Sequence, residues 1–124
     1  MGQQILVVDD DKSMREMLQS FLIREGYSVD TANGVVSALD AIASNEYDIM
    51  LFDKNMPGIY GEIDGGIELL RYVSALPTRP TVIMMTGNPT VASSVEAKNL
   101  GAVDFIYKPF SLMDLGRRIK KALM

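Results

Sequence analysis

The chain has 124 residues, 48% of them hydrophobic and 23% charged, and its 12 Lys and Arg against 16 Asp and Glu leave a net charge of -4. That length predicts one domain spanning residues 1–124, able to bury about two-thirds of its unfolded surface without a staple, and the balance excludes disorder, collagen and coiled coil. With no cysteine and no histidine, thiol catalysis, disulfides, a Ser-His-Asp triad and Cys- or His-ligated metals are excluded, so polar chemistry must run on carboxylates, hydroxyls, lysine or backbone.

In chain order, an apolar run at residues 5–8 reads as a strand and is followed by Asp9, Asp10 and Asp11. Met14, Met17, Leu18, Phe21 and Leu22 then repeat at helical spacing, and Glu25-Gly26 ends that helix. Residues 27–32 form a weaker, alternating strand. Asn33-Gly34 leads into a second stripe of Val35, Ala38, Leu39 and Ile42. Residues 49–52 are a third strand, delivering Asp53, Lys54 and Asn55, and Leu69, Tyr72, Val73 and Leu76 mark a third helix. Pro77 and Pro80 bracket the approach to a fourth strand at 82–85, which Thr86 and Gly87 follow.

The helix expected between 89 and 100 is the weakest, with only Val91, Ala92, Val95 and Leu100 apolar. Leu100-Gly101 closes it, and Gly26, Gly34 and Gly101 are all expected to suit the left-handed cap. The fifth strand, at 103–107, leads to Lys108-Pro109. A last stripe of Leu112, Leu115, Ile119, Ala122 and Leu123 opens at Ser111, with Asp114 three later as a near capping box. Five strand–helix pairs whose strands are mostly apolar throughout predict a doubly wound, open parallel sheet with helices on both faces.

Ligands of such sheets bind at the carboxyl ends of the strands. There the chain delivers acids at Asp9, Asp10, Asp11 and Asp53, the hydroxyl of Thr86 and the ammonium of Lys108. Each has a plain alternative. Asp11 or Thr86 can cap a helix, Asp53 can start a turn, and Lys108 can be a solvated loop residue. Their coincidence on one edge is what those alternatives leave unexplained, since crowded carboxylates repel unless a cation compensates them. Oxygen ligands without His or Cys favour magnesium, which commonly shares its shell with phosphate. A carboxylate left over can carry a phosphoryl group as an acyl phosphate.

The motifs Leu6-Val7-Val8-Asp9-Asp10, Phe52-Asp53-Lys54-Asn55-Met56-Pro57-Gly58, Met85-Thr86-Gly87 and Gly101-Ala102-Val103-Asp104-Phe105 before Lys108-Pro109-Phe110 resemble those of two-component response regulator receiver domains, over essentially the whole chain. The resemblance implies a flavodoxin-like (βα)5 fold with a five-stranded sheet in the order 2-1-3-4-5. It implies that Asp53 is the phosphoacceptor, taking its phosphoryl group from a phosphohistidine on a sensor histidine kinase or a histidine phosphotransfer protein. Magnesium would be held by Asp10, Asp53 and the backbone carbonyl of Asn55, with Asp9 acting indirectly. Lys108 and Thr86 would contact phosphoryl oxygens, and Thr86 and Phe105 would form the switch. It also implies a cis peptide at Lys108-Pro109, and a signalling domain that assists its own phosphorylation and dephosphorylation rather than an enzyme. The fourth helix, fifth strand and fifth helix would be the output surface, for a second copy or an output domain.

The chain departs from the family pattern at residues 59–63, an insertion before Asp64-Gly65-Gly66 that bears on the partner-facing rim and reads equally as a flexible flap or a neutral surface. Two other readings use the same residues. Asp9, Asp11 and Ser13 mimic the motif of a haloacid dehalogenase-type phosphatase with Asp9 as nucleophile, but Asp53 then has no role. Asp53, Asn55, Gly58 and Asp64 approximate a calcium-binding EF-hand loop, but that loop needs helices on both sides. A receiver fold acting as a non-phosphorylated adaptor is a third alternative. The acidic balance argues against direct nucleic-acid binding. No apolar run approaches the ~18 residues of a membrane span, and the N-terminal apolar run lacks a basic lead-in, so a cytoplasmic location is expected.

Overall fold

The structure, a computed structural model, describes residues 2–61, 64–78, 80–88 and 90–124. Its elements are β1 (Gln4–Val8), α1 (Lys12–Arg24), β2 (Ser28–Ala32), α2 (Val35–Ser44), β3 (Ile49–Asp53), α3 (Gly65–Ser74), β4 (Thr81–Thr86), α4 (Val91–Asn99), β5 (Asp104–Tyr107) and α5 (Leu112–Ala122). The strands form one sheet in the order β2-β1-β3-β4-β5, and every adjacent pair is parallel. Among the described residues no helix is long and apolar enough to cross a membrane.

Alternation along the strands divides the interior in two. Leu6, Val8, Met50, Phe52, Val82, Met84 and Phe105 face one way, onto Val35 and Ala38 of α2, Ile67, Leu69, Leu70 and Val73 of α3, and Ala97 of α4. Ile5, Val7, Ile49, Leu51, Ile83, Met85 and Ile106 face the other, onto Leu18 and Leu22 of α1 and Leu115 and Ile119 of α5. The central strands β1, β3 and β4 are therefore apolar on both sides, whereas edge strand β2 buries fully only Ala32. Each large aliphatic buried this way contributes about 1.5–3 kcal/mol.

Helix ends follow local chemistry. Gly26 at φ 99° and Gly101 at φ 106° are left-handed as expected, and the amides of Tyr27 and Ala102 reach back to the carbonyls of Leu22 and Ala97. Gly34 is a correction: its φ of 177° is extended, because it precedes a helix instead of ending one. The Asn33 side chain accepts from the Ser37 hydroxyl at 2.8 Å there.

The expected stripe of α4 is also corrected. Val91 and Val95 are exposed while Ser93 and Ala97 are buried. The helix begins after Thr90, whose hydroxyl oxygen accepts the Ser93 amide while the Thr90 amide donates to the Ser93 hydroxyl, a reciprocal cap that satisfies two donors. At α5 only half of the near box forms. The Ser111 hydroxyl oxygen accepts the Asp114 amide at 3.0 Å, but the Asp114 carboxylate turns to the Arg118 guanidinium at 3.1 Å. Pro89, which opened the expected fourth helix, and Glu62 and Ile63 of the insertion lie outside the described residues.

Candidate functional site

A parallel sheet brings all its carboxyl ends to one edge, and the chemistry-bearing residues sit there. Asp9 follows β1, Asp53 ends β3, Thr86 ends β4 and Lys108 follows β5, with a cis peptide between Lys108 and Pro109. Asp9 is fully buried. One of its carboxylate oxygens accepts the Asp11 amide at 2.9 Å and the other accepts the Lys108 ammonium at 2.8 Å. The same ammonium stands 3.4 Å from Oδ1 of Asp53. Thr86, also fully buried, donates its hydroxyl to the side-chain carbonyl of Asn55 at 2.7 Å and accepts the Asn88 amide at 3.0 Å.

The electrostatics follow from this packing. Asp53 is only 6% exposed. Burial first, and the charge of Asp9 second, push its carboxyl up to about 6, with Lys108 offsetting part of the rise. Burial alone would lower Lys108, but its bonds and charge pairing with Asp9 and Asp53 outweigh that and raise it. Oxygens of Asp9, Asp10 and Asp53 all lie within 4.8 Å of one another. Three hard oxygen donors this close fit a small divalent cation such as magnesium.

Some residues fall elsewhere. Asp11 is a helix cap, its Oδ1 accepting the amides of Ser13 and Met14, so the phosphatase-like spacing of Asp9, Asp11 and Ser13 has a structural explanation. Asp64, needed by the EF-hand reading, is paired with Lys54 at 2.8 Å, and the segment before that loop is strand β3. Phe105 is packed inward, 9% exposed, with the edge of its ring system against Tyr107 at 5.7 Å. The side chain of Asn55 was not foreseen: the family resemblance implied a role for its backbone carbonyl, while the oxygen of its amide side chain is what the Thr86 hydroxyl bonds. The buried Lys54 was likewise unforeseen as a partner of Asp64; the sign in the sequence was one acid closing the inserted loop.

The response regulator receiver domain family matches residues 5–120. The chain is 36% identical over 123 residues to response regulator MprA of Mycobacterium bovis, covering 99% of this chain and 51% of that protein. It is 34% identical over 119 residues to the uncharacterized transcriptional regulatory protein YkoG of Bacillus subtilis, covering 96% of this chain and 50% of that protein. The chain thus spans about half the length of these curated relatives. Among solved structures, a CheY-like receiver domain protein from Methanospirillum hungatei superposes with a TM-score of 0.90 at 32% identity, covering 99% of this chain and 94% of that one. NtrX from Brucella abortus gives 0.88 at 32% identity, covering 99% of this chain and 27% of that one. With the family's match across nearly the whole chain and its fold reproduced strand by strand, this chain belongs to the response regulator receiver domains of two-component systems.

Proposed function

We propose that the chain is a phosphorylation-dependent switch in which Asp53 takes a phosphoryl group from a phosphohistidine of a sensor histidine kinase or a histidine phosphotransfer protein. The observation that carries this is a buried Asp53 sharing the Lys108 ammonium with a second buried carboxylate, Asp9. An Asp53 carboxylate oxygen attacks phosphorus as the donor's P–N bond breaks, the imidazole leaves with the bonding pair, and an acyl phosphate forms. Lys108 stands close enough to follow the charge onto a phosphoryl oxygen, as a compact ammonium on a flexible stem can.

Asp10, Asp53 and the backbone carbonyl of Asn55 would hold magnesium, with Asp9 acting indirectly through its hold on Lys108. When bound, magnesium supplies positive charge that relieves the crowded carboxylates and neutralises phosphoryl oxygens. Thr86 exchanges Asn55 for a phosphoryl oxygen, and Phe105 already fills the space inward of β5. Because two packings of similar energy suffice for a switch, one acyl phosphate biases the surface of α4, β5 and α5. Val91, Val95, Tyr107 and Met113 stand exposed there for an output domain or second copy. The setting is the cytoplasm, where such kinases present their phosphohistidine.

Incubation with acetyl phosphate and magnesium, followed by intact mass spectrometry, tests this. A base-labile gain of one phosphoryl group is expected, absent in Asp53→Asn. Labelling that persists in Asp53→Asn overturns the assignment, and an unlabelled wild type makes the chain an adaptor.

A further inference from the structure

Asp9, Asp10 and Asp11 leave the end of β1 in a row. The phosphoryl chemistry uses the first two carboxylates and leaves open what shapes the turn that carries them. Arg15, half-buried near the start of α1, lies close to all three in the chain. A cation beside a helix start gains nothing from the helix dipole, so pairing with one of these acids would be its ordinary use. It does something else. Among the described residues Arg15 is in no ion pair, and its Nη1 donates to the backbone carbonyl of Asp9 at 2.8 Å.

That carbonyl is a pivot. Asp9 is fully buried, its amide donates to the Ala32 carbonyl at 3.2 Å, and its carboxylate oxygens accept the Asp11 amide and the Lys108 ammonium. No backbone amide among the described residues reaches its carbonyl, which Arg15 therefore satisfies. A peptide group is planar, so the direction of the Asp9 carbonyl sets the direction of the Asp10 amide and the root of the Asp10 side chain. Asp10 is exposed, yet its oxygen stands within 4.8 Å of those of Asp9 and Asp53. Metal sites need their ligands held to within about 0.5 Å. A charge-assisted hydrogen bond, stronger than a neutral one, fixes the peptide that leads into the one exposed member of the cluster.

We propose that Arg15 is a positioning residue for the divalent cation, holding the Asp9–Asp10 peptide so that the Asp10 carboxylate is presented to the site. The proposal rests on Asp10 and Asp53 being magnesium ligands. Charge and position predict opposite signs. A guanidinium near the site repels a dication, so by charge alone its removal tightens magnesium binding. Loss of a bond that orients a ligand loosens binding, typically ten- to a hundredfold.

The test is calorimetric titration with magnesium chloride of wild type, Arg15→Met, Arg15→Lys and Asp10→Asn, each first shown to be folded by circular dichroism. Arg15→Met keeps an unbranched stem and removes the donor, and its dissociation constant is expected to rise at least about tenfold. Arg15→Lys keeps a donor and is expected to recover most of that loss. With acetyl phosphate, the magnesium concentration for half-maximal labelling of Arg15→Met shifts by the same factor. The maximal rate stays within about twofold, because Arg15 meets no reacting atom. Equal or tighter magnesium binding by Arg15→Met overturns the proposal, even if its urea midpoint falls, since Arg15 would then be purely structural. So does an Arg15→Lys variant no better than Arg15→Met, or a lower maximal rate at saturating magnesium. If wild type binds no magnesium, or Asp10→Asn binds it as tightly as wild type, the metal assignment falls and the proposal falls with it.

Discussion

The charge on Asp53 works against the folded state. Its carboxyl is raised from 3.8 to about 6 by burial and by Asp9, so between about pH 4 and 6 the native protein binds more protons than the unfolded chain. Stability falls as pH rises through that window, and the loss is complete above it. Asp53→Asn removes the disfavoured charge and leaves the Asp9–Lys108 pair in place. In metal-free buffer at pH 7 it is expected to stabilise the protein by roughly 1–2 kcal/mol, discounted for Lys108 and solvent screening. The gain vanishes below about pH 4. Urea unfolding at both pH values measures it; destabilisation at pH 7 would show that Asp53 carries no strain. The positions of Asp9, Asp53, Thr86 and Lys108 were legible as the residues that end or follow apolar runs. The Thr86–Asn55 bond was not, because it joins two side chains 31 positions apart across a loop whose path no local pattern specifies.

Elements show where periodicity succeeds and where it misleads. The stripes of α1 and α5 pack through Leu18, Leu22, Leu115 and Ile119, although Met17 of the α1 stripe is exposed. In α4 the apolar Val91 and Val95 face water, and small residues face the sheet; the reciprocal cap of Thr90 and Ser93, not the stripe, marks where this helix starts. The start of α3 depends on two glycines. Gly66→Ala places a Cβ against the backbone of Asp53 and Lys54, where no flexible side chain can yield. A loss of about 1–3 kcal/mol is expected from overpacking, read as a lower urea midpoint. Gly34→Ala meets nothing within 4 Å in an extended backbone, and its midpoint is expected to stay within about 0.5 kcal/mol of wild type. Equal effects at the two sites would contradict this account of the β3–α3 approach.

At the scale of the whole molecule, a cation that binds only the folded site stabilises every element cooperatively. Magnesium at about a hundred times its dissociation constant is expected to add ~2.7 kcal/mol, a rise in Tm on the order of 10 °C for a domain of this size. Asp10→Asn removes an exposed donor of the oxygen cluster and is expected to abolish most of that rise in differential scanning calorimetry. A full magnesium response in Asp10→Asn would place the ion elsewhere. A response to calcium alone, lost in Asp64→Ala, would revive the loop-binding alternative that the Lys54–Asp64 pair argues against.

The alternation of apolar runs with helical stripes determined by itself that the chain is a doubly wound parallel sheet, because strands apolar on both faces are stable only when helices cover both. The residues at the strand ends were equally local in origin, since a parallel sheet delivers every carboxyl end to one edge. Strand order was implied by resemblance and is set physically by which apolar faces meet. Only the tertiary structure decided which acids share Lys108, which one becomes a helix cap, and that the inserted loop is tied back by Lys54 and Glu68. Those outcomes depend on distances between residues far apart in the chain, and burial turns such distances into charge and shape.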